Sequence, residues 1–245
     1  MALAVVAAIV GLFIGAVGVG GVLLIPFLAI FGDLGIHVAA ATALFTFLFT
    51  GLFGTWLFQR RGSINWRLTM PVCLGAVLFG YLGSAAAARI PPHALAVTIA
   101  IIIIAAGVYV FVPPRGPLRD ARDGRARSDL PILVCVGAVA GFGSGLSGAG
   151  GPLFSVPLMV ILGFAPLAAV GASQVLQIIA SVSGSLAALQ DARIDFTLAA
   201  WLTGFELVGV AAGVRLAHAV SPRALRGIAG VLCVVVGAFM LVRAS

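Results

Sequence analysis

The chain has 245 residues, of which 62% are hydrophobic and only 9% charged, with a formal net charge of +7. Its mean hydropathy of +1.24 excludes an ordinary soluble domain, in which apolar and charged residues are more evenly balanced. We therefore expect an all-α integral membrane protein with several membrane-spanning helices.

Eight apolar segments fill nearly the whole chain, and each approaches or exceeds the roughly 20 residues that cross a bilayer as a helix. They cover residues 2–31, 38–58, 68–88, 95–112, 130–162, 166–189, 196–220 and 225–242. No positively charged region precedes the first segment, so we expect no cleaved signal peptide.

The basic residues are 14 arginines, placed as topology determinants rather than as a nucleic-acid-binding surface. Several of them lie in the polar linker 113–130, interleaved with aspartates, and most others lie at the ends of apolar segments. We expect the linker in the cytoplasm, the lipid bilayer as a partner and no nucleic acid partner.

The sequence repeats itself after about 130 residues. Ile64-Asn65-Trp66, for example, corresponds to Ile194-Asp195-Phe196, and Gly83 corresponds to Gly213. The glycines at 11, 15, 18, 20 and 21 fall on those at 141, 145, 148, 150 and 151. The repeat predicts two membrane units, residues 1–112 and 131–245, joined by the linker.

The first apolar segment of each unit is the longest, about 30 residues, and it carries the glycines. A continuous helix of that length would measure roughly 45 Å, more than the hydrocarbon thickness. We predict instead a glycine-broken re-entrant helical hairpin, followed by three transmembrane helices in each unit. The alternative is that all eight segments cross fully, which would make the two units parallel.

Arginine placement favours inverted repeats. In the first unit the loop after the second segment holds Arg60, Arg61 and Arg67, whereas the next loop holds only Arg89. In the second unit the bias is reversed, because Arg193 stands beside two aspartates and the next loop holds Arg215, Arg223 and Arg226. Since arginine favours the cytoplasmic side, the reversal predicts opposite orientations, with both termini in the periplasm.

Broken helices in inverted repeats are typical of secondary transporters, where helix N-termini face the solute. Here two short helices are predicted to begin near Val22 and Pro152, and their free N–H groups would favour an anion. The predicted substrate-binding residues of these tips are Gly18, Gly20, Gly21, Val22, Gly148, Gly150 and Gly151.

The segment after each hairpin carries hydroxyl and amide groups at helical spacing. Thr42, Thr46 and Thr50 recur every four residues in the first unit. The second unit has Ser173, Gln174, Gln177 and Ser181 at related positions. We include Thr42, Thr46, Ser173, Gln174 and Gln177 in the predicted substrate site. Close helix packing is the competing interpretation for these small polar residues and for the glycines.

Glu206 is the one acid inside an apolar segment, and an ionisable group at that depth is usually functional. It is our candidate for proton coupling, and its repeat equivalent is Ala76. The alternatives are a pair with an arginine or a permanently neutral structural hydrogen-bond donor. The membrane potential alone can also drive an anion out of the cell, which needs no coupling ion.

The doubled motifs GLFIGAVGVGGVLLIPFL and GFGSGLSGAGGPLFSVPLM, each followed by a Thr- or Ser-bearing helix, resemble the sulfite exporter TauE/SafE family. The resemblance covers both units and leaves out only the linker. It implies a bacterial inner-membrane carrier of sulfur-containing anions such as sulfite or organosulfonates, operating by export. We expect no cofactor or metal, and a monomer or a homodimer.

Two other functions remain open from the sequence. The GLSG at 145–148 matches the serine motif of rhomboid intramembrane proteases, so that Ser147 and His218 are a candidate catalytic dyad. The second alternative is an anion channel. The sequence has no GxxxxGK[ST] loop for ATP hydrolysis, and we expect a transporter rather than an enzyme.

Overall fold

The computed structural model describes residues 2–18, 20–32, 34–109, 130–148, 150–189 and 194–219, and eight further residues between 231 and 242. The predicted linker 113–130, except for its last residue, and most of the predicted segment 225–242 lie outside this part of the chain. The described residues form α-helices and contain no β-strand.

The helices follow the predicted segments closely. They are α1 (Ala2–Val17), α2 (Leu24–Phe31), α3 (Ile36–Arg60), α4 (Trp66–Ala87), α5 (Pro92–Tyr109), α6 (Leu130–Ser147), α7 (Pro152–Ile161), α8 (Pro166–Leu189) and α9 (Phe196–Ala219), with a 3₁₀ turn at Gly21–Leu23 before α2. Five of them, α3, α4, α6, α8 and α9, are long and apolar enough to cross a membrane. The chain is therefore a multi-pass membrane protein.

Both long first segments are interrupted at their glycines. The first consists of α1, a break and α2, and the second consists of α6, a break and α7. The interruption was predicted, but α6 is longer than half of a segment of about 30 residues, the length expected for one arm of a hairpin. Its 18 residues span about 27 Å, which is close to the hydrocarbon thickness.

Glycines allow two helix pairs to pack backbone against backbone. A Cβ on Gly15 of α1 would collide with the Val210 carbonyl of α9, and a Cβ on Gly145 of α6 would collide with the Gly80 carbonyl of α4. These contacts are equivalent, because Gly145 is the repeat equivalent of Gly15 and Val210 is the repeat equivalent of Gly80, each about 130 residues later. Large apolar side chains such as Leu74 and Val208 remain exposed on the outer faces, where they suit lipid.

The contacts also define helix directions. Thr42 lies by Asp195 near the starts of α3 and α9, and Ser63 lies by His218 near their ends, so these helices are parallel. By contrast, Leu44 near the start of α3 contacts Gly184 near the end of α8, so α3 and α8 are antiparallel. Similar contacts make α1 parallel to α9 and α4 parallel to α6.

Candidate functional site: two glycine tips and a buried polar cluster

The breaks lie at residues 18–21, the first tip, and at residues 148–151, the second tip. Gly18, Gly148 and Gly150 have φ values of +79°, +68° and +78°. Such left-handed backbone is costly for residues with a Cβ, so glycine ends α1 and α6 here. The glycines thus set the position at which each long segment breaks.

The helices after the two tips begin differently. As predicted, α7 begins at Pro152, where proline is well suited to the first helical turn. The first unit has no proline at this point, and the predicted start near Val22 is a 3₁₀ turn, with the α-helix beginning at Leu24. The second tip is therefore followed directly by an α-helix and the first is not.

The first tip lies against the second unit. A Cβ on Gly18 would lie 3.2 Å from the Val156 side chain and 3.3 Å from both the Pro152 side chain and the Ser173 hydroxyl. Gly20 instead packs on α1 of its own unit, next to Ile14. Gly18 and Ser173, two predicted site residues, are thus brought together across the units.

The second tip lies against the first unit. A Cβ on Gly148 would lie 2.6 Å from the Ala40 carbonyl oxygen, and one on Gly150 would lie 3.2 Å from the Phe47 ring. Gly150 and Gly151 also adjoin Gln177. Each tip therefore contacts the long helix, α8 or α3, that follows the hairpin of the other unit.

Two glutamines of α8 make hydrogen bonds to the first unit. Gln177 Nε2 donates to the Thr50 hydroxyl at 2.8 Å and to the Phe47 carbonyl at 3.0 Å. Gln174 Nε2 donates to the Ile14 carbonyl at 3.0 Å, in the last turn of α1. The Gln174 Oε1 atom is buried and has no hydrogen-bond partner.

Glu206 of α9 is completely buried and contacts α3 one helical turn from the Thr50 that binds Gln177. The Thr46 hydroxyl lies 3.2 Å from its Oε1 atom and 2.9 Å from the Ala43 carbonyl. Its Oε2 atom is buried and has no hydrogen-bond partner. Gly11 of α1 packs against the Glu206 backbone.

The hydroxyl of Thr42 makes no hydrogen bond to the buried polar cluster, which consists of Thr46, Thr50, Gln174, Gln177 and Glu206. Its hydroxyl accepts a hydrogen bond from the Asp195 backbone N–H at 3.1 Å, just before α9 begins. The Ser173 hydroxyl donates to the Val170 carbonyl of its own helix at 2.7 Å. Gly21, the last residue of the first tip, is buried, and only the backbone of Val22 is described.

The structure adds polar atoms that the predicted substrate site left out. The hydroxyls of Ser144, Ser181 and Ser185 are buried without hydrogen-bond partners. Buried polar atoms of this kind are normally satisfied by water or a solute. Ser181 and Ser185 continue the four-residue spacing of Ser173 and Gln177, which is a usable signal, whereas Ser144 in the glycine-rich motif gave none.

A cavity of about 20 Å³ adjoins the second tip. Its walls include His37 of α3, Ser84 of α4, Gly148 at the tip and Ala188 of α8. Since α3 begins here and α4, α6 and α8 end here, the cavity lies at one end of the helix bundle, near one face of the membrane. It is large enough for about one water molecule.

The alternative of a protease dyad formed by Ser147 and His218 is excluded by the geometry. Ser147 precedes Gly148, which packs on Ala40 near the start of α3. His218 contacts Phe58 and Ser63 at the other end of that helix. The 18 residues between Ala40 and Phe58 correspond to about 27 Å, far beyond hydrogen-bond reach.

The comparisons with known proteins agree with a transporter. The family model described as "Sulfite exporter TauE/SafE" matches residues 3–240. The Bacillus subtilis protein "Probable membrane transporter protein YjnA" is 27% identical over 250 residues, covering 94% of this chain and 96% of the relative. "Probable membrane transporter protein MJ0441" of Methanocaldococcus jannaschii is 23% identical over 253 residues, covering 95% and 93%. No solved structure matches the chain. The chain is a membrane transporter that belongs to the sulfite exporter TauE/SafE family.

Proposed function

We propose that the protein is a secondary transporter that exports small sulfur-containing anions, sulfite or organosulfonates, across the bacterial inner membrane. The family description supports this substrate class. The mechanism is alternating access, in which one central site opens to either side of the membrane in turn. A single observation carries the proposal: each glycine tip lies against the long helix of the opposite unit, α8 for the first tip and α3 for the second, which we call the central helices.

The helix directions support inverted repeats. The equivalent helices α3 and α8 are antiparallel, as an axis in the membrane plane requires, whereas two parallel units would make them parallel. In addition, α1 and α3 both run parallel to α9. The short α2 between them then leads the chain back, which is the path of a re-entrant hairpin.

The arginine distribution supports the orientation in the membrane. Arg61 Nη1 donates to the Val214 carbonyl at 3.2 Å, so the α3–α4 loop and the end of α9 lie on the same side. These are the two regions whose arginines point to the cytoplasm. The cavity beside His37 then faces the periplasm, and both termini are periplasmic.

The proposed site lies between the tips, α3 and α8. Backbone N–H groups that follow the tips, the nearby serine hydroxyls and the second Nε2 hydrogen of Gln174 are donors suited to sulfur oxyanions. Both Nε2 hydrogens of Gln177 are donated to α3, so this side chain holds α3 in place beside the site. The donors bind negative charge without placing a fixed cation in the membrane, so the anion can also be released. A solute between the units contacts both of them, which alternating access requires.

The first experiment is anion flux in proteoliposomes. We expect saturable efflux of sulfite and methanesulfonate, and labelled anion inside should exchange with unlabelled anion outside, which is the behaviour of a carrier. Flux that does not saturate and shows no exchange indicates a channel. The absence of protein-dependent flux for both anions contradicts the proposed function.

Gly150→Ala tests the site itself. Its matched control is Gly62→Ala, because Gly62 also has a positive φ, +65°, but no atom within 4 Å of an added Cβ. Both changes cost about 1–2 kcal/mol of backbone strain, but only Gly150→Ala adds a methyl group beside Phe47 and Gln177. We expect anion affinity to fall at least about tenfold in Gly150→Ala alone, measured as the half-saturation concentration. Equal affinities in both variants would place the anion elsewhere.

A further inference from the structure

The Glu206 carboxyl group has unusual surroundings for an acid. It is eleventh of the 24 residues of α9 and completely buried. One oxygen contacts the Thr46 hydroxyl and the other has no hydrogen-bond partner. A permanently ionised carboxylate would require more compensation than one hydroxyl group provides.

No cation neutralises Glu206 in the described part of the chain. The helices α1, α2 and α8 carry no titratable side chain. On α3, His37 precedes Thr46 by nine residues and Arg60 follows it by 14, which correspond to about 14 Å and 21 Å along the helix. Arg61 contacts the Val214 carbonyl, about 12 Å further along α9. Arg215 and His218 lie still further along that helix, and Asp195 precedes its start.

The Thr46 hydroxyl suits both protonation states of the acid. It has a single proton but lies within hydrogen-bond distance of both Glu206 Oε1 and the Ala43 carbonyl. When Glu206 is neutral, its O–H can donate to Thr46 while Thr46 donates to Ala43. When Glu206 is ionised, Thr46 can turn its proton to the carboxylate, and the Ala43 carbonyl keeps its bond within the helix.

The same threonine connects the acid to the proposed anion site. Thr46 and Thr50 stand one turn apart on the same face of α3. Thr50 accepts the hydrogen bond from Gln177, which adjoins the second tip. An ionised Glu206 would therefore stand close to a bound anion and repel it through a poorly screened interior.

We propose that Glu206 is a proton-binding site and that the transporter moves one proton together with each anion. The inference rests on the proposed function. The proton binds the Glu206 carboxylate from the side on which the anion enters, and both leave on the other side. A monovalent anion then crosses without net charge, so the anion and proton gradients, rather than the membrane potential, determine the direction of net flux.

The test uses the full-length protein in liposomes that contain a trapped pH-sensitive dye. The probe is methanesulfonate, because a sulfonate does not itself take up a proton near neutral pH. We expect an inward anion gradient to acidify the interior, with one proton entering per labelled anion. Labelled anion uptake without acidification overturns the inference but leaves the proposed function intact, whereas the absence of uptake for both methanesulfonate and sulfite contradicts the function.

Glu206→Gln assigns the proton to this residue. The neutral amide resembles the protonated acid, so we expect net flux to fall at least about tenfold while exchange of labelled for unlabelled anion continues and becomes independent of pH. A substrate-binding or purely structural role would instead reduce net flux and exchange together. Glu206→Asp should retain proton movement, which covers the case in which the glutamine variant folds poorly.

Thr46→Val tests the hydroxyl, and Thr203→Val is its control. Thr203 is a buried threonine one turn before Glu206 whose hydroxyl donates to the Ala199 carbonyl. We expect Thr46→Val to shift the pH of half-maximal net flux by about one unit, a tenfold change in proton affinity, and Thr203→Val to leave it unchanged. Identical pH profiles in both variants overturn the role of Thr46.

Discussion

The two units pack through equivalent contacts but carry different polar groups at the same level. Gly11 packs on the backbone of Glu206, and Gly141 packs on Ala76, its repeat equivalent. The packing requires only a glycine and a neighbouring backbone, so it does not depend on which side chain, that of Glu206 or that of Ala76, the neighbouring residue carries. One unit therefore supplies a carboxyl group and the other a methyl group within the same scaffold.

The central helices differ in the same way. Thr46 of α3 contacts the acid of α9, whereas its repeat equivalent on α8, Gln177, donates hydrogen bonds to α3. Backbone packing is duplicated while the polar groups differ, because the second unit carries both the Glu206 carboxyl group and the Gln177 amide where the first unit has Ala76 and Thr46. Variants that affect packing should therefore act alike in both units, and variants of polar groups should not.

The largest expected effect comes from filling the equivalent packing positions. Gly15→Leu and Gly145→Leu would force side chains into the backbones of α9 and α4. We expect each to reduce the free energy of unfolding by more than about 3 kcal/mol, measured by denaturant titration in detergent. Gly204→Leu is the control, because no atom lies within 4 Å of a Cβ at that glycine. Tolerance of leucine at only one of the two positions would show that the units do not pack alike.

A smaller effect is expected for the α8 amides. Gln177→Leu removes hydrogen bonds of 2.8 and 3.0 Å to α3, and we expect it to lower the free energy of unfolding by about 2 kcal/mol and to reduce anion flux. Gln174→Leu removes one bond and also an oxygen that has no partner, so its cost should be lower. The comparison requires unfolding and flux measurements on the same preparations. A larger loss for Gln174→Leu would reverse the proposed order of importance.

The sequence was sufficient to predict features that depend on local chemistry. The breaks follow from glycine because Gly18, Gly148 and Gly150 adopt backbone angles that other residues avoid. The start of α7 follows from Pro152 for a similarly local reason. The difference at the first tip was missed, since a 3₁₀ turn and an α-helix have nearly the same sequence requirements.

Contacts between distant residues could not be predicted in this way. Glu206 was selected for its depth in a helix, but its pairing with Thr46 spans 160 residues and depends on how α3 packs against α9. Thr42 shares the helix face of Thr46, yet its hydroxyl meets the Asp195 N–H. Spacing identifies a helix face but does not identify the groups that cover it.

The smallest expected effect is that of Thr42→Val, and it defines the extent of the polar cluster. The substitution removes the acceptor of the Asp195 N–H while keeping the side-chain shape, so we expect a loss of about 1 kcal/mol in the free energy of unfolding. Flux per folded molecule and its pH profile should match those of the unaltered protein, in contrast to Thr46→Val. Reduced anion affinity in Thr42→Val would mean that the solute reaches the start of α3. The solute path would then extend from the level of Glu206 to the cavity beside the second tip, because His37 and Ala41 of its wall lie in the adjoining residues of that helix.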